Sequence, residues 1–388
     1  MTDSYFVIGK NKYIVIYENR QVKILKKTQD GPAPLSNEED KKIQKLLNDK
    51  YSYVYNSDLL EALIESNNEI ENKPYVLNLI NWLESIIPYG RRNNLYRNIG
   101  TLHTELNLNV ELVKRPEEQI FKEENSTAGG YDTCNNKIII YKESLLELWQ
   151  LAQFSKHPEE FYWNEYRATL LHELAHMSSS NHNKKTGITL CGFDKFPAEK
   201  QEEENRGLTE GFTELIVFTG IPGRSELSSK YYFEASLVFQ LIQIVGIDVF
   251  KEGYFSNLGI SPIQEKLQRY IEDEDKSFKL FRDIELNFLL RYSDENIEQS
   301  VLGNIQSAIL DYLEVKLKRL LQDGNFDVIN QIIHNYQLGI ITTSKLKMML
   351  KDPKHYVGIE ENQERFKKIK EEYNSLLTAK KASSQIKR

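Results

Sequence analysis

His172-Glu173-Leu174-Ala175-His176 is the stretch on which the reading of this chain turns. On an α-helix, residues four apart lie one above the other on the same face. Both imidazoles can therefore reach one metal ion. Glu173, next to the first histidine, can then reach a water on that ion and act as general base. The chain has only 7 His in 388 residues, so two at this spacing around a Glu are rare by chance. The flanks read as helix. Residues 161–171 contain neither Gly nor Pro, and Pro158 with Glu159 and Glu160 behind it looks like a first turn. Leu171 and Ala175 can pack inward beside the histidines, and Ser178-Ser179-Ser180-Asn181 ends the run. The bland alternative is a surface helix with two incidental histidines.

A catalytic zinc ion usually takes three protein ligands and keeps one position open for water. Two residues compete for the third place. His182 follows His176 by six residues, the spacing of the longer H-E-x-x-H-x-x-G-x-x-H motif. Ser179, however, stands where that motif needs Gly for a sharp turn, and Met348 and Met349 lie far downstream in a Lys-rich segment that reads as helix. The rival is Gly207-Leu208-Thr209-Glu210-Gly211-Phe212-Thr213-Glu214-Leu215, followed by an apolar run that marks a buried second helix. Glu210 and Glu214 share one face of it. Two stacked carboxylates on an apolar helix are costly unless each has a cationic or metal partner. A metal would satisfy Glu210, and a ring N–H of a liganding histidine would satisfy Glu214, fixing that histidine's tautomer. The alternative is a solvated acidic face with Thr209 as helix cap.

The pairing of His172-Glu173-x-x-His176 with Glu210-x-x-Thr213-Glu214 resembles the thermolysin-type, or gluzincin, zinc metallopeptidases. More closely, His172-Glu-Leu-Ala-His-Met-Ser-Ser, then Gly192-Phe193, then Gly207-Leu-Thr-Glu-Gly-Phe-Thr-Glu resembles uncharacterised zincin-like proteins of low-GC Gram-positive bacteria. Thr209 stands where those proteins usually carry Asn. The resemblance covers roughly residues 100–260. It implies one Zn2+ per chain on His172, His176 and Glu210, with Glu173 as general base and Glu214 orienting a ligand histidine. It also implies an oxyanion donor from downstream of the Glu ligand. Tyr231 and Tyr232 open the next helical segment, and either fits; His182 is a further candidate donor near the cleft.

On the substrate side, residues 128–141 read as a β-hairpin, in which turn formers separate a Gly-containing strand from the β-branched run Ile138-Ile139-Ile140. Gly129, Gly130 and Tyr131 lie on the strand that would line the cleft and accept an extended peptide by main-chain hydrogen bonds. An ordinary structural hairpin is the equal alternative.

Composition bounds the rest. Hydrophobic residues make up 40% and charged ones 28%, an ordinary globular balance. A net charge of −7 argues against a nucleic-acid-binding surface. The Lys-rich end of the chain reads as a solvated helix and frayed tail. No apolar run approaches the eighteen residues of a membrane span. The first residues lack a basic stretch followed by an apolar one, so a cytoplasmic location is expected, with signal-independent export left open. Cys134 and Cys191 are too few for a disulfide framework, and neither lies in a C-x-x-C pattern.

The expected architecture is α+β: a zincin-like half-domain with a small mixed sheet and the active-site helix, a mainly helical C-terminal lobe, and a small N-terminal β-meander. Residues 1–30 would form a three-stranded meander, 30–36 a linker, and Ser36 the start of a helix. Residues 37–106 read as helical, including an apolar stripe over 75–87. Residues 107–226 would be the zincin-like catalytic domain, with a polar connection over 190–205 that could act as a cleft wall or lid. Residues 227–388 read as helices broken at Gly246, Asp323-Gly324 and Asp352-Pro353. The expected function is a zinc-dependent peptidase acting on a peptide or protein substrate, with no nucleic-acid or membrane partner and the oligomeric state open. The alternatives are a non-catalytic, zinc-stabilised binding module and an intracellular regulatory or effector protease that cleaves a single partner protein.

Overall fold

The computed structural model describes residues 4–8, 11–18, 21–28, 31–39, 41, 74–100, 107–113, 128–141, 144–145, 148, 152, 157–196, 205–222, 231–292, 301–341 and 357–386. The break expected at Asp352-Pro353, and Met348 and Met349, lie outside them. Backbone contacts divide the chain into two units. One comprises Met1–Ile70, Glu111–Gly129 and Ile139–Arg167; the other comprises Glu71–Val110, Gly130–Ile138 and Ala168–Arg388.

The chain opens on four strands, β1 (Ser4–Ile8), β2 (Asn11–Glu18), β3 (Gln21–Thr28) and β4 (Gly31–Pro34), paired antiparallel in that order. Alternation over 5–27 predicts three strands, and the fourth falls in the stretch that reads as linker. Pro32 and Pro34 disguise it, because proline lacks the N–H of a strand interior. An edge strand tolerates that loss, since one side of its ladder is unpaired. Residues 37–39 are then helical, and Ser36 starts them with a capping box: the Glu39 N–H donates to Ser36 Oγ at 3.3 Å and the Ser36 N–H to Glu39 Oε2 at 3.3 Å.

The apolar stripe over 75–87 becomes α1 (Pro74–Ile86), which buries Val76, Leu79, Ile80 and Leu83 at helical spacing. The short α2 (Asn93–Asn98) follows. Three strands, β5 (Val110–Val113), β6 (Gly129–Asp132) and β7 (Lys137–Tyr141), make a sheet in the order β5-β7-β6. The β6–β7 turn is closed by Asp132, whose Oδ1 accepts the N–H groups of Cys134 and Asn135 at 3.0 and 3.1 Å, and by Asn136 in the left-handed region at φ 52°. Next comes α3 (Pro158–Ser179), with H-E-x-x-H in its last two turns. From Ala168 to Ser180 only Thr169 and His172 keep partial exposure, so this half of the helix is wrapped on all sides.

Between the two motif helices lies a second three-stranded antiparallel sheet, β8 (Asn181–Asn183), β9 (Ile188–Cys191) and β10 (Asp194–Phe196), in the order β10-β9-β8. The stretch read as a polar connection thus carries the end of β9 and all of β10.

The rest is helical: α4 (Arg206–Gly220), α5 (Tyr232–Val245), α6 (Ile247–Tyr254), α7 (Ser261–Gln268), α8 (Glu274–Tyr292), α9 (Leu302–Gln322), α10 (Phe326–Leu338) and α11 (Ile359–Ile386). Gly246, at φ 98°, marks a 115° bend between α5 and α6, and Gly324, at φ 76°, ends α9. α4 packs between α5 and α8. Its crossing with α5 needs Gly211, because a Cβ there would stand 2.6 Å from the Glu234 carbonyl. The molecule is mostly helical with small separate sheets, an α+β arrangement. Among the described residues no single helix is long and apolar enough to cross a membrane.

Candidate metal centre

The second unit contains His172, Glu173, His176, Glu210 and Glu214. Each of the two motif helices is anchored there at one end. The last carbonyls of a helix lack intrahelical donors, and α2 supplies them. Asn98 Nδ2 donates to the carbonyls of Met177 and Ser180, each at 2.7 Å; Asn94 Nδ2 donates to Ser179 O at 3.1 Å, and Arg97 to Ser180 O at 2.7 Å. At the other motif helix, Glu285 of α8 accepts the Gly207 N–H at 2.9 Å, placing a carboxylate on the positive end of α4.

The two helices bring three side chains to one point. His172 Nε2 lies 3.0 Å from Glu210 Oε2, His176 Nε2 lies 3.4 Å from the same oxygen, and the two Nε2 atoms are 3.1 Å apart. A tetrahedral ion with ligands at about 2.0–2.1 Å holds them about 3.3–3.4 Å from one another. The triangle seen here is of that size or slightly tighter. Among the described residues these three form the one group of His, Cys, Asp or Glu whose ligand atoms all lie within 4.8 Å of one another. Two imidazole nitrogens and a carboxylate oxygen aimed at a common point make a donor set that a cation satisfies. Their side chains keep 12%, 11% and 20% of their surface accessible, so solvent can reach the remaining side of such an ion.

Electrostatics follow from burial and these contacts. Burial disfavours charge on His172, but the carboxylates of Glu210 and Glu214 outweigh it and hold its pKa up at about 9. Burial pushes Glu210 up, and the charges and hydrogen bonds of His176 and His172 overcome this and leave it well below the usual carboxylate range. Glu173 is raised, chiefly by burial, although the fields of His172 and His176 and the N–H of Tyr131, which donates to its carboxylate, work the other way.

Around this triangle, Glu214 is buried and its Oε2 lies 3.4 Å from His172 Nδ1. Tyr231 stands just before the first turn of α5 and stacks its ring on that of His172, with centroids 5.5 Å apart. Tyr232, one residue on, is 4% exposed and meets Phe233 edge-on; successive helical residues do not face the same way. His182 sits on β8 opposite Thr189, with Nδ1 2.7 Å from its hydroxyl. Thr209 is not the cap of α4, whose N-cap is Asn205; it lies inside the helix, and its hydroxyl accepts the Phe193 N–H at 3.1 Å.

On the hairpin, Gly129 is required by its own sheet, because a Cβ there would stand 2.6 Å from Ile139 O, whereas Gly130 faces open space. The Tyr131 hydroxyl donates to Asn136 Oδ1 at 2.9 Å, and Asn136 Nδ2 donates to Asn98 O at 3.0 Å. The residue beside Glu173 is thereby tied to the helix that caps α3.

Sequence reasoning passes over several of these residues. Cys191, Tyr254 and the α2 amides carry no spacing signal, because each meets the site through packing. Tyr254 is fully buried, its hydroxyl 2.6 Å from Thr213 Oγ1, and burial pushes its pKa to about 12. Comparison with protein-family models, with curated proteins and with solved structures gave no match to this chain.

Proposed function

We propose that this chain is a zinc-dependent peptidase of the gluzincin kind, with His172, His176 and Glu210 as the protein ligands of one zinc ion. The observation that carries the reading is the convergence of two Nε2 atoms and one carboxylate oxygen within 3.0–3.4 Å, with Glu173 buried alongside. A nitrogen–nitrogen–oxygen set with one side open suits zinc in a hydrolytic role. Zinc bound there would lower the pKa of a coordinated water toward about 7 and polarise a substrate carbonyl. Glu173 accepts the proton of the attacking water and returns it to the leaving amine. Its burial supports this, since a carboxylate whose pKa is raised above the ordinary range is a stronger base for the proton. Glu214 holds the His172 ring. The ring of Tyr231 lies against His172, which makes it the better placed of the two tyrosines to donate to a developing oxyanion. The substrate is an extended peptide alongside β6, whose one strand neighbour among the described residues is β7.

The test is zinc per chain by mass spectrometry together with hydrolysis of a quenched-fluorescent peptide library. One zinc in wild type, lost in Glu210→Ala and kept in His182→Ala, is expected. Glu173→Gln should keep zinc and lose roughly 10²–10⁴-fold in rate. Zinc binding with no hydrolysis of any peptide by wild type would leave a metal-stabilised binding module instead.

A further inference from the structure

The two candidate ligand histidines are backed differently. Behind His172 stands a carboxylate. Behind His176 stands a sulfur: Cys191 Sγ is 3.7 Å from His176 Nδ1 and 3.6 Å from the His176 carbonyl oxygen. We propose that Cys191 is a positioning residue for His176, its S–H donating to the His176 carbonyl while its sulfur accepts the Nδ1–H, so that the unprotonated Nε2 is presented to the metal. The inference rests on the metal-binding reading above.

Bond directions make this arrangement self-consistent. A thiol has one donor and a weak acceptor. If its hydrogen goes to the carbonyl, the sulfur lone pairs remain for the ring N–H. That fixes the tautomer with the proton on Nδ1, as Glu214 does for His172.

The sulfur is also held in place from both motif helices. The next residue, Gly192, donates its N–H to Ser179 Oγ of α3 at 3.0 Å, and that hydroxyl donates to the His176 carbonyl at 2.9 Å. Phe193 donates its N–H to Thr209 Oγ1 of α4 at 3.1 Å. Gly192 adopts φ 61°, and a Cβ on it would stand 2.6 Å from the Tyr254 ring and 2.8 Å from the Thr209 methyl. The turn between β9 and β10 is thus clamped between the motif helices, and its effect is to deliver Cys191, 6% exposed, to the back of His176. This gives the end of β9 and the turn that follows it the role of a buttress for His176.

The test compares Cys191→Val, which keeps volume and removes hydrogen bonding, with Cys191→Ser, which keeps a donor and acceptor. Zinc affinity is measured by competition with a chromophoric chelator, and metal-free unfolding by thermal denaturation. Cys191→Val should bind zinc roughly 10–100-fold more weakly, whereas Cys191→Ser retains most of the affinity. A Val variant with wild-type affinity, or a Ser variant that falls as far as Val, would overturn the proposal. So would a loss in Val matched by an equal loss of metal-free stability, the mark of a merely structural role. A second readout does not need the Val variant to fold. In zinc-loaded protein, Cys191→Ser should move the His176 Nδ1 nitrogen resonance and leave that of His172 in place; unmoved His176 overturns the proposal. If wild type binds no zinc at all, it is the metal reading that fails, a result distinct from all of these.

Discussion

The helices that carry the candidate site and helix α9 nearer the C-terminus each bury at least one face, but what they bury differs. α9 places Ile305, Ile309, Leu313 and Leu317, all fully buried, along one stripe, and packs it against α5, α8 and α11. Its charged groups stay near the surface. Arg365 of α11 donates to Asp311 at 2.6 Å and to Glu314 at 3.0 Å, and Lys276 of α8 donates to Asp311 at 2.6 Å, with about a third of each side chain still accessible. α3 and α4 instead enclose Glu173, His176 and Glu214 at 7%, 8% and 2% exposure. Apolar burial stabilises a fold directly. Burial of ionisable groups opposes it unless a partner compensates. The difference separates a helix whose buried face is apolar from helices whose buried polar groups could hold a cation.

Substitutions should divide along the same line. The largest expected effect on stability lies in α9. Leu313→Ala should cost about 2–5 kcal/mol by urea denaturation, through lost burial and the cavity left behind, while the folded fraction keeps wild-type zinc affinity. Weakened zinc binding there would erase the distinction. In α4, Glu214→Ala should weaken zinc roughly 10–100-fold, since His172 loses the partner of its Nδ1; an unchanged affinity in chelator competition would remove Glu214 from that role.

A proton effect comes next. Metal-free His172 holds its proton up to about pH 9, against an ordinary value of 6.5. That proton must leave before Nε2 can bind a metal. Zinc affinity should therefore rise with pH up to about 9, with proton release on binding visible by calorimetry in buffers of different ionisation enthalpy. A flat profile would mean that His172 is already neutral. The smallest effect belongs to the surface network: Arg365→Ala should cost about 1 kcal/mol or less, because its partners remain partly hydrated. A loss several times larger would show that charge, and not the apolar stripe alone, fastens α11.

The elements legible in the sequence are those whose signal is local. The stripe over 75–87, the hairpin over 128–141 and the breaks at Gly246 and Gly324 each rest on spacing or on one residue's backbone freedom. β4 was hidden because two prolines resemble a linker until the neighbouring strand shows them to be an edge. β9 and β10 were hidden because the polar residues around them outweigh their short apolar alternation. The Thr209 hydroxyl reads as a helix cap by residue type, yet packing spends it on the backbone of Phe193.

The sequence by itself determined that His172, Glu173 and His176 share the end of one helix, because a four-residue repeat and a 3.6-residue turn leave little else for them to do. It also placed Glu210 and Glu214 on one face of a second helix. Which distant residue meets the two histidines was decided only by tertiary structure. His182, six residues away, is carried off on β8, while Glu210, thirty-four residues away, returns to within 3.0 Å of His172. The pairing of Cys191 with His176 was decided the same way. Neighbours along a helix are set by its pitch, whereas neighbours across helices are set by how Gly211, Gly192 and the α2 amides let the backbones approach, and no local pattern encodes that.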